Sequence, residues 1–167
     1  MALNKLAQLI AGLGATASEI NAVADVSANG AVRKIVSEAM PIVAAATAND
    51  FTSLVLPAGS VIEQVYVIVT TEESTGGTKT VDIGISGGDE NGLLAAVSVA
   101  VAGTVKGTLV STGQTLGALM SVNEDGSGAL VPEPYVCAAE TTLCYTLGSD
   151  DFVELEAVCV VEYIEFA

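Results

Sequence analysis

The side chains best suited to chemistry in this chain are carboxylates. Asp82 and the run Asp89, Glu90 and Asn91 surround a glycine-rich turn, and hard oxygen ligands converging on such a turn are what a calcium ion takes. The spacing lacks the full EF-hand loop with its closing glutamate, so a solvated acidic turn is the plainer reading and no metal is expected. Asn123 to Gly128, which contains Glu124 and Asp125, reads the same way. Glycoside hydrolysis needs two carboxyl groups flanking one sugar bond. Nothing singles out a pair among the 20 acids, and with no Trp and aromatics at 4% there is no obvious platform for a sugar ring. The absence of His removes Ser-His-Asp triads, leaves Cys137, Cys144 and Cys159 without a base, and removes the zinc-binding helix motif. The run Gly84 to Gly88 lacks the Lys and the helix of a phosphate-binding loop and reads as a turn. The expectation is a protein that is not an enzyme and carries no cofactor.

Composition narrows the class further. The chain has 167 residues, 51% of them hydrophobic, and only 15% charged. Its mean hydropathy is +0.60. That apolar fraction excludes a disordered chain, and the length fits one domain with a short appendage. The longest uncharged stretches are interrupted by Pro, Gly, Ser and Thr and fall short of the roughly 20 apolar residues of a bilayer helix, so no membrane partner is expected. The formal charge is −15, with 5 basic residues against 20 acidic ones. Phosphate backbones need a Lys and Arg footprint, so no nucleic acid is expected either. The opening residues, with Lys5 and a short apolar run broken by Gln8, are too short for a secretion signal. Three cysteines, an odd number in apolar contexts, read as buried free thiols.

The elements that must position these groups divide near residue 50. Before it, Leu3, Leu6, Leu9 and Ile10 recur at helical spacing. Thr16 and Glu19 have the spacing of a capping box opening a helix from about Ala17 to Val26, with Ile20 and Val23 on one face. Asn29-Gly30 closes it, and Arg33 to Ser37 leans to strand. After residue 50, short β runs alternate with Gly, Pro, Asn and Asp. Val61 to Val69 is rich in β-branched residues. In Thr78 to Ser86, Val81, Ile83 and Ile85 face one way and Thr80, Asp82 and Gly84 the other. Glu72 to Gly77 reads as a polar hairpin loop, and Leu93 to Ala102 as a short segment whose later part has helical propensity. Further short segments lie at Thr104 to Val110, Ala118 to Val122 and Leu130 to Val131, with strands at Glu140 to Leu147 and Phe152 to Phe166. In the last, Val153, Leu155, Ala157, Cys159, Val161 and Tyr163 share a parity. The sum is a mainly β chain, an antiparallel β-sandwich or jelly roll with a short helical N-terminal segment. Residues 1–30 are expected to form a helical docking arm and 31–167 the β domain. After Lys106 the chain has no basic residue and ten acidic ones.

One stretch carries a resemblance. Ala15 to Asp25, with Thr16, Ala17, Glu19, Ile20 and Asn21 in order, resembles the Thr-Ala-x-Glu-Ile/Leu-Asn helix start near the N-terminus of tailed-phage capsid decoration and head fibre proteins. Leu56 to Thr70, Lys79 to Gly84 and Gly88 to Leu93 look like the β part of such virion proteins. The resemblance implies a cement protein of the capsid exterior, made in the host cytoplasm. It further implies a homotrimer at three-fold or quasi-three-fold sites that binds the major capsid protein. Ala2, Leu3, Leu6, Leu9, Ile10, Ile20 and Val23 are then the expected docking or trimer contacts, because so small a helical piece buries too little apolar surface to fold alone. The alternative is a receptor- or glycan-binding module of a head or tail fibre.

Overall fold

The computed structural model describes residues 30–75, 77, 79–107, 116–122, 131–148 and 152–166. Arg33–Glu165 make one compact unit. The expected helical arm lies outside the described residues, and among these there is no helix. The strands are β1 (Ala31–Ala39), β2 (Ala48–Leu56), β3 (Val61–Thr71), β4 (Thr80–Ile85), β5 (Leu94–Ser98), β6 (Thr104–Gly107), β7 (Ser121–Val122), β8 (Val131–Pro132), β9 (Tyr135–Val136), β10 (Thr141–Leu147) and β11 (Glu156–Phe166).

They form two antiparallel sheets. One runs β1-β11-β3-β6, with β9 also on β3, and the other β2-β10-β4-β5; β7 and β8 make a separate two-stranded ribbon. The pairings are nested: β1 lies beside β11, β2 beside β10, β3 beside β6 and β4 beside β5. Chain segments that start together therefore end together, as if one long hairpin were folded over.

Alternation decides which side chains enter the core. In β4 Val81 and Ile83 are buried, as the sequence predicts, and in β11 so are Ala157, Cys159, Val161 and Tyr163. They join Val65, Val67 and Val69 of β3 and Leu143, Tyr145 and Leu147 of β10 in one apolar cluster that draws on both sheets. The Phe51 and Tyr145 rings lie 4.9 Å apart within it, and the Tyr145 hydroxyl donates to the Pro41 carbonyl at 2.9 Å. Burial of a Val or Leu side chain contributes about 1.5–3 kcal/mol, so this cluster dominates the stability of the unit.

Among the described residues four register shifts break the simple period, the first of them leaving Thr70 of β3 over between Glu156 and Ala157 of β11. Glu162 pairs with Gln64 but Tyr163 with Ile62, so Glu63 is the extra residue of β3 and Ile62, not Val61, enters the core. In β5, Val97 pairs with Val81 but Leu94 with Ile83, which leaves one residue over and puts Ala96 at φ 53°. Leu94 to Ser98 is therefore a strand with a kink in a stretch that helical propensity also fitted. In β2 the register jumps from Val55 to Asp50, so Phe51 to Leu54 loop away from β10.

Candidate functional site

The residues expected to make docking contacts, Ala2, Leu3, Leu6, Leu9, Ile10, Ile20 and Val23, lie outside the described residues. The acidic turn is described, and its groups have other work. Asp82 Oδ1 accepts the amide of Ala96 at 2.6 Å and so caps the β5 bulge. The Asp89 carbonyl accepts the amides of Ile85 at 2.9 Å and Gly92 at 3.1 Å, which folds the turn back on itself. That turn rests on Gly84, where a Cβ would lie 2.2 Å from the Asp89 carbonyl oxygen. Among the described residues no three of His, Cys, Asp and Glu come together as a metal site. Gly84, Ser86 and Gly88 also carry the letters of a Gly-x-Ser-x-Gly nucleophile elbow, a match that reading the run as a turn passes over. Ser86 follows a strand into a tight turn at Gly87 (φ 67°) and not into a helix, and the chain has no His to activate it.

The carboxylate with the most demanding surroundings was not legible as such. Glu73, in the loop after β3, is 0% exposed. Its Oε2 accepts the amides of Val153 at 2.8 Å, Glu154 at 3.0 Å and Leu155 at 3.3 Å. Its Oε1 accepts the Thr75 amide at 3.0 Å and the Thr75 hydroxyl. Burial opposes ionisation, but the Thr75 hydroxyl and the amides of Glu154, Val153 and Thr75 outweigh it and hold the carboxyl down at about 2. The strap before β11 is thereby fixed, which corrects the expected parity there: Leu155 is buried and Val153 is 65% exposed.

Glu38 makes a second clamp of the same kind, between strands of the two sheets. From β1 it accepts the Thr52 amide at 2.8 Å and the Ser53 amide and hydroxyl at 2.7 Å each, all from the β2 bulge. Burial again opposes ionisation, and the hydrogen bonds from Ser53 and Thr52 prevail, so its carboxyl sits below the usual range. The basic residues of β1 are spent nearby: Arg33 pairs with Glu63 at 2.8 Å, and Lys34 with Glu165.

The thiols are shielded from solvent. Cys137, Cys144 and Cys159 are buried and free, as expected from their number and context. Burial, then the Glu90 and Asp50 charges, raise Cys144 to about 11; burial raises Cys137 and Cys159 as well. A thiol above the working pH is a poor nucleophile. Two clefts remain. One of about 400 Å³ is lined by Met40, Pro41, Leu155, Ala157 and Val158, and one of about 390 Å³ by Ser86, Gly87, Gly88, Tyr135 and Glu140. Neither of these two gathers an activated nucleophile with a base.

The chain matches no known family model and no curated protein. It is similar to three solved structures. Against a chain of the capsid asymmetric unit of cyanophage Pam1 it is 18% identical at a TM-score of 0.49, covering 80% of this chain and 84% of that one. Against a chain of the acid-stable capsid of Helicobacter pylori bacteriophage KHP30 it is 11% identical at a TM-score of 0.50, covering 80% and 88%. Against a subunit of Bacillus endospore appendages, which form disulfide-linked pili, it is 16% identical at a TM-score of 0.34, covering 81% and 91%. Of these three, the KHP30 likeness establishes a shared fold over most of the chain.

Proposed function

We propose that this chain is a structural, non-enzymatic virion protein that decorates and stabilises a phage capsid. The observation that carries the reading is the fold it shares with a chain of the KHP30 capsid. The nested strand order supports it. Pairing first strand with last, then inward, in sheets β1-β11-β3-β6 and β2-β10-β4-β5, is the wrapping of a jelly-roll sandwich, an architecture that viral capsid domains use. In this reading residues 31–167 are the sandwich. Residues 1–30 are the arm that docks on the major capsid protein through Leu3, Leu6, Leu9, Ile10, Ile20 and Val23, with Ala2 beside them.

The protein acts as a homotrimer at three-fold or quasi-three-fold sites of the shell exterior and is made in the host cytoplasm. The charge suits that position, because a −15 chain repeated over a particle keeps particles apart. Deleting residues 1–28 tests the docking: the truncated chain is expected to fold and to stay in the supernatant when shells are sedimented. Binding undiminished by the deletion overturns the role of the arm.

A further inference from the structure

The cleft of about 390 Å³ lies where the turn after β4 meets the segment that joins β9 to β10. The turn contributes Ser86 and Gly87, and the later segment Tyr135, Glu140 and Thr142. Both contributors are pinned. The Ser86 amide donates to the Thr142 carbonyl at 3.0 Å, which ties the turn to β10, and the Gly88 amide donates to the Ile85 carbonyl at 3.0 Å, which closes the turn on itself. Tyr135 pairs with Ile62 and packs against the core. Beyond it the Cys137 amide donates to the Ser60 carbonyl at 2.8 Å, and the Thr141 hydroxyl to the Ala139 carbonyl at 2.8 Å. The polar tips that line the cleft are unspent. The hydroxyls of Ser86, Tyr135 and Thr142 and the carboxylate of Glu140 make no hydrogen bond with another described residue.

We propose that this cleft is a binding site for a neutral sugar residue at the end of a glycan. Its charge argues against anionic ligands: none of the chain's 5 basic residues lines it and Glu140 does, so a phosphate, a sulfate or a sialic acid meets repulsion with no counter-charge. A carboxylate also attracts cations. An ammonium group, however, is held by a cage of aromatic rings or by several carboxylates, and the lining has one of each. A neutral, hydroxyl-rich ligand fits this inventory better. The two Glu140 oxygens accept from adjacent sugar hydroxyls, and the hydroxyls of Ser86, Tyr135 and Thr142 can each donate and accept. The body of Tyr135, with Ile85 beside it in the lining, offers apolar surface to the C–H bonds of a pyranose. The volume lies low in the range of about 300–1,000 Å³ for ligand sites, which suits a terminal sugar and not a long chain. With a single carboxylate in the lining the chemistry is binding, because glycoside hydrolysis needs two. Composition alone offered no platform for a sugar ring; the pairing of β9 with β3 supplies one by fixing Tyr135 beside the glycine turn.

The site does not depend on docking to a shell, so its test uses the free full chain. Immobilised neutral oligosaccharides ending in glucose, galactose, mannose or N-acetylglucosamine are presented beside sialylated and sulfated ones, and tetramethylammonium is titrated in solution by NMR. The chain is expected to bind at least one neutral probe and neither the anionic probes nor the ammonium. Glu140→Ala and Tyr135→Ala are each expected to weaken that binding about tenfold or more, and Ser98→Ala, exposed on β5, to leave it unchanged. Tyr135 packs on the core whereas Glu140 is exposed, so Glu140→Ala keeps the test sharp should the tyrosine variant fail to fold. Failure of every neutral probe overturns the site, as does binding that Glu140→Ala leaves intact. Preference for an anionic probe or for tetramethylammonium overturns the assignment to a neutral sugar.

Discussion

Glu73 and Val153 stand 80 positions apart, and the amide of the second donates to the carboxylate of the first at 2.8 Å. With the Glu154 and Leu155 amides on the same oxygen, one side chain from the loop after β3 holds the strap that leads into the last strand. Removing the acceptor leaves buried donors without partners, at about 1–3 kcal/mol for each buried group. Glu73→Ala is therefore expected to lower stability by several kcal/mol and Glu73→Gln by less. Chemical denaturation measures the loss, and hydrogen exchange at Val153 to Leu155 locates it. Unchanged exchange there would show that the strap is held by something else.

The same group sets a pH dependence. Its folded carboxyl lies at about 2 against 4.5 for the free group, so the unfolded chain binds the proton more readily between those values. The stabilisation is complete above about pH 4.5 and is lost as pH falls toward 2; Glu38, also lowered, acts in the same direction. Acid also relieves repulsion among the 20 carboxylates, so the clamp is read as a difference. The stability gap between wild type and Glu73→Gln is expected to be widest at pH 6 and to shrink by pH 3, followed by urea midpoints.

Gly84 is the floor on which the acidic turn lies, with no room for a Cβ against the backbone of Asp89 and Glu90. Gly84→Ala must lift that turn from the sheet, at an overpacking cost of about 1–3 kcal/mol. Cys144 pairs with Gly84 on the neighbouring strand. Alkylation is expected to be negligible in the native wild type and measurable at Cys144 in Gly84→Ala, by mass spectrometry.

Ala96 holds φ 53° at the β5 bulge, a left-handed conformation that costs an L-residue about 1–2 kcal/mol. Ala96→Gly relieves that strain and is expected to stabilise the protein modestly, whereas Asp82→Ala, which removes the cap on the Ala96 amide, destabilises it by about 1 kcal/mol. Thermal unfolding compares the two. Added calcium is expected to leave both transitions unmoved, because Asp82 already accepts that amide.

The strands were legible wherever the period of two ran unbroken, as in Val81, Ile83 and their neighbours in β4, and the core followed from them. What was not legible arises from contacts distant in sequence. Nothing in Glu72 to Gly77 marks Glu73 as buried, because its five donors come partly from residues 153–155. Nor does the local pattern show that Glu63 is the bulged residue, although a lone Glu among the apolar alternate positions of β3 was the visible trace of it. The two-residue strand β9 had no signal of its own, since β3 supplies its partner. The outward apolar residues of β3 and β11 read simply as β-rich sequence. Only the sheet order places Val160 opposite Tyr66 on one outer surface.

Association with a phage shell is the centre of the functional account. Its most direct test mixes the purified full chain with shells that lack it and measures the chain that sediments as its concentration rises. The account expects saturation at three chains for each three-fold or quasi-three-fold position. A chain that stays in the supernatant at every concentration contradicts it.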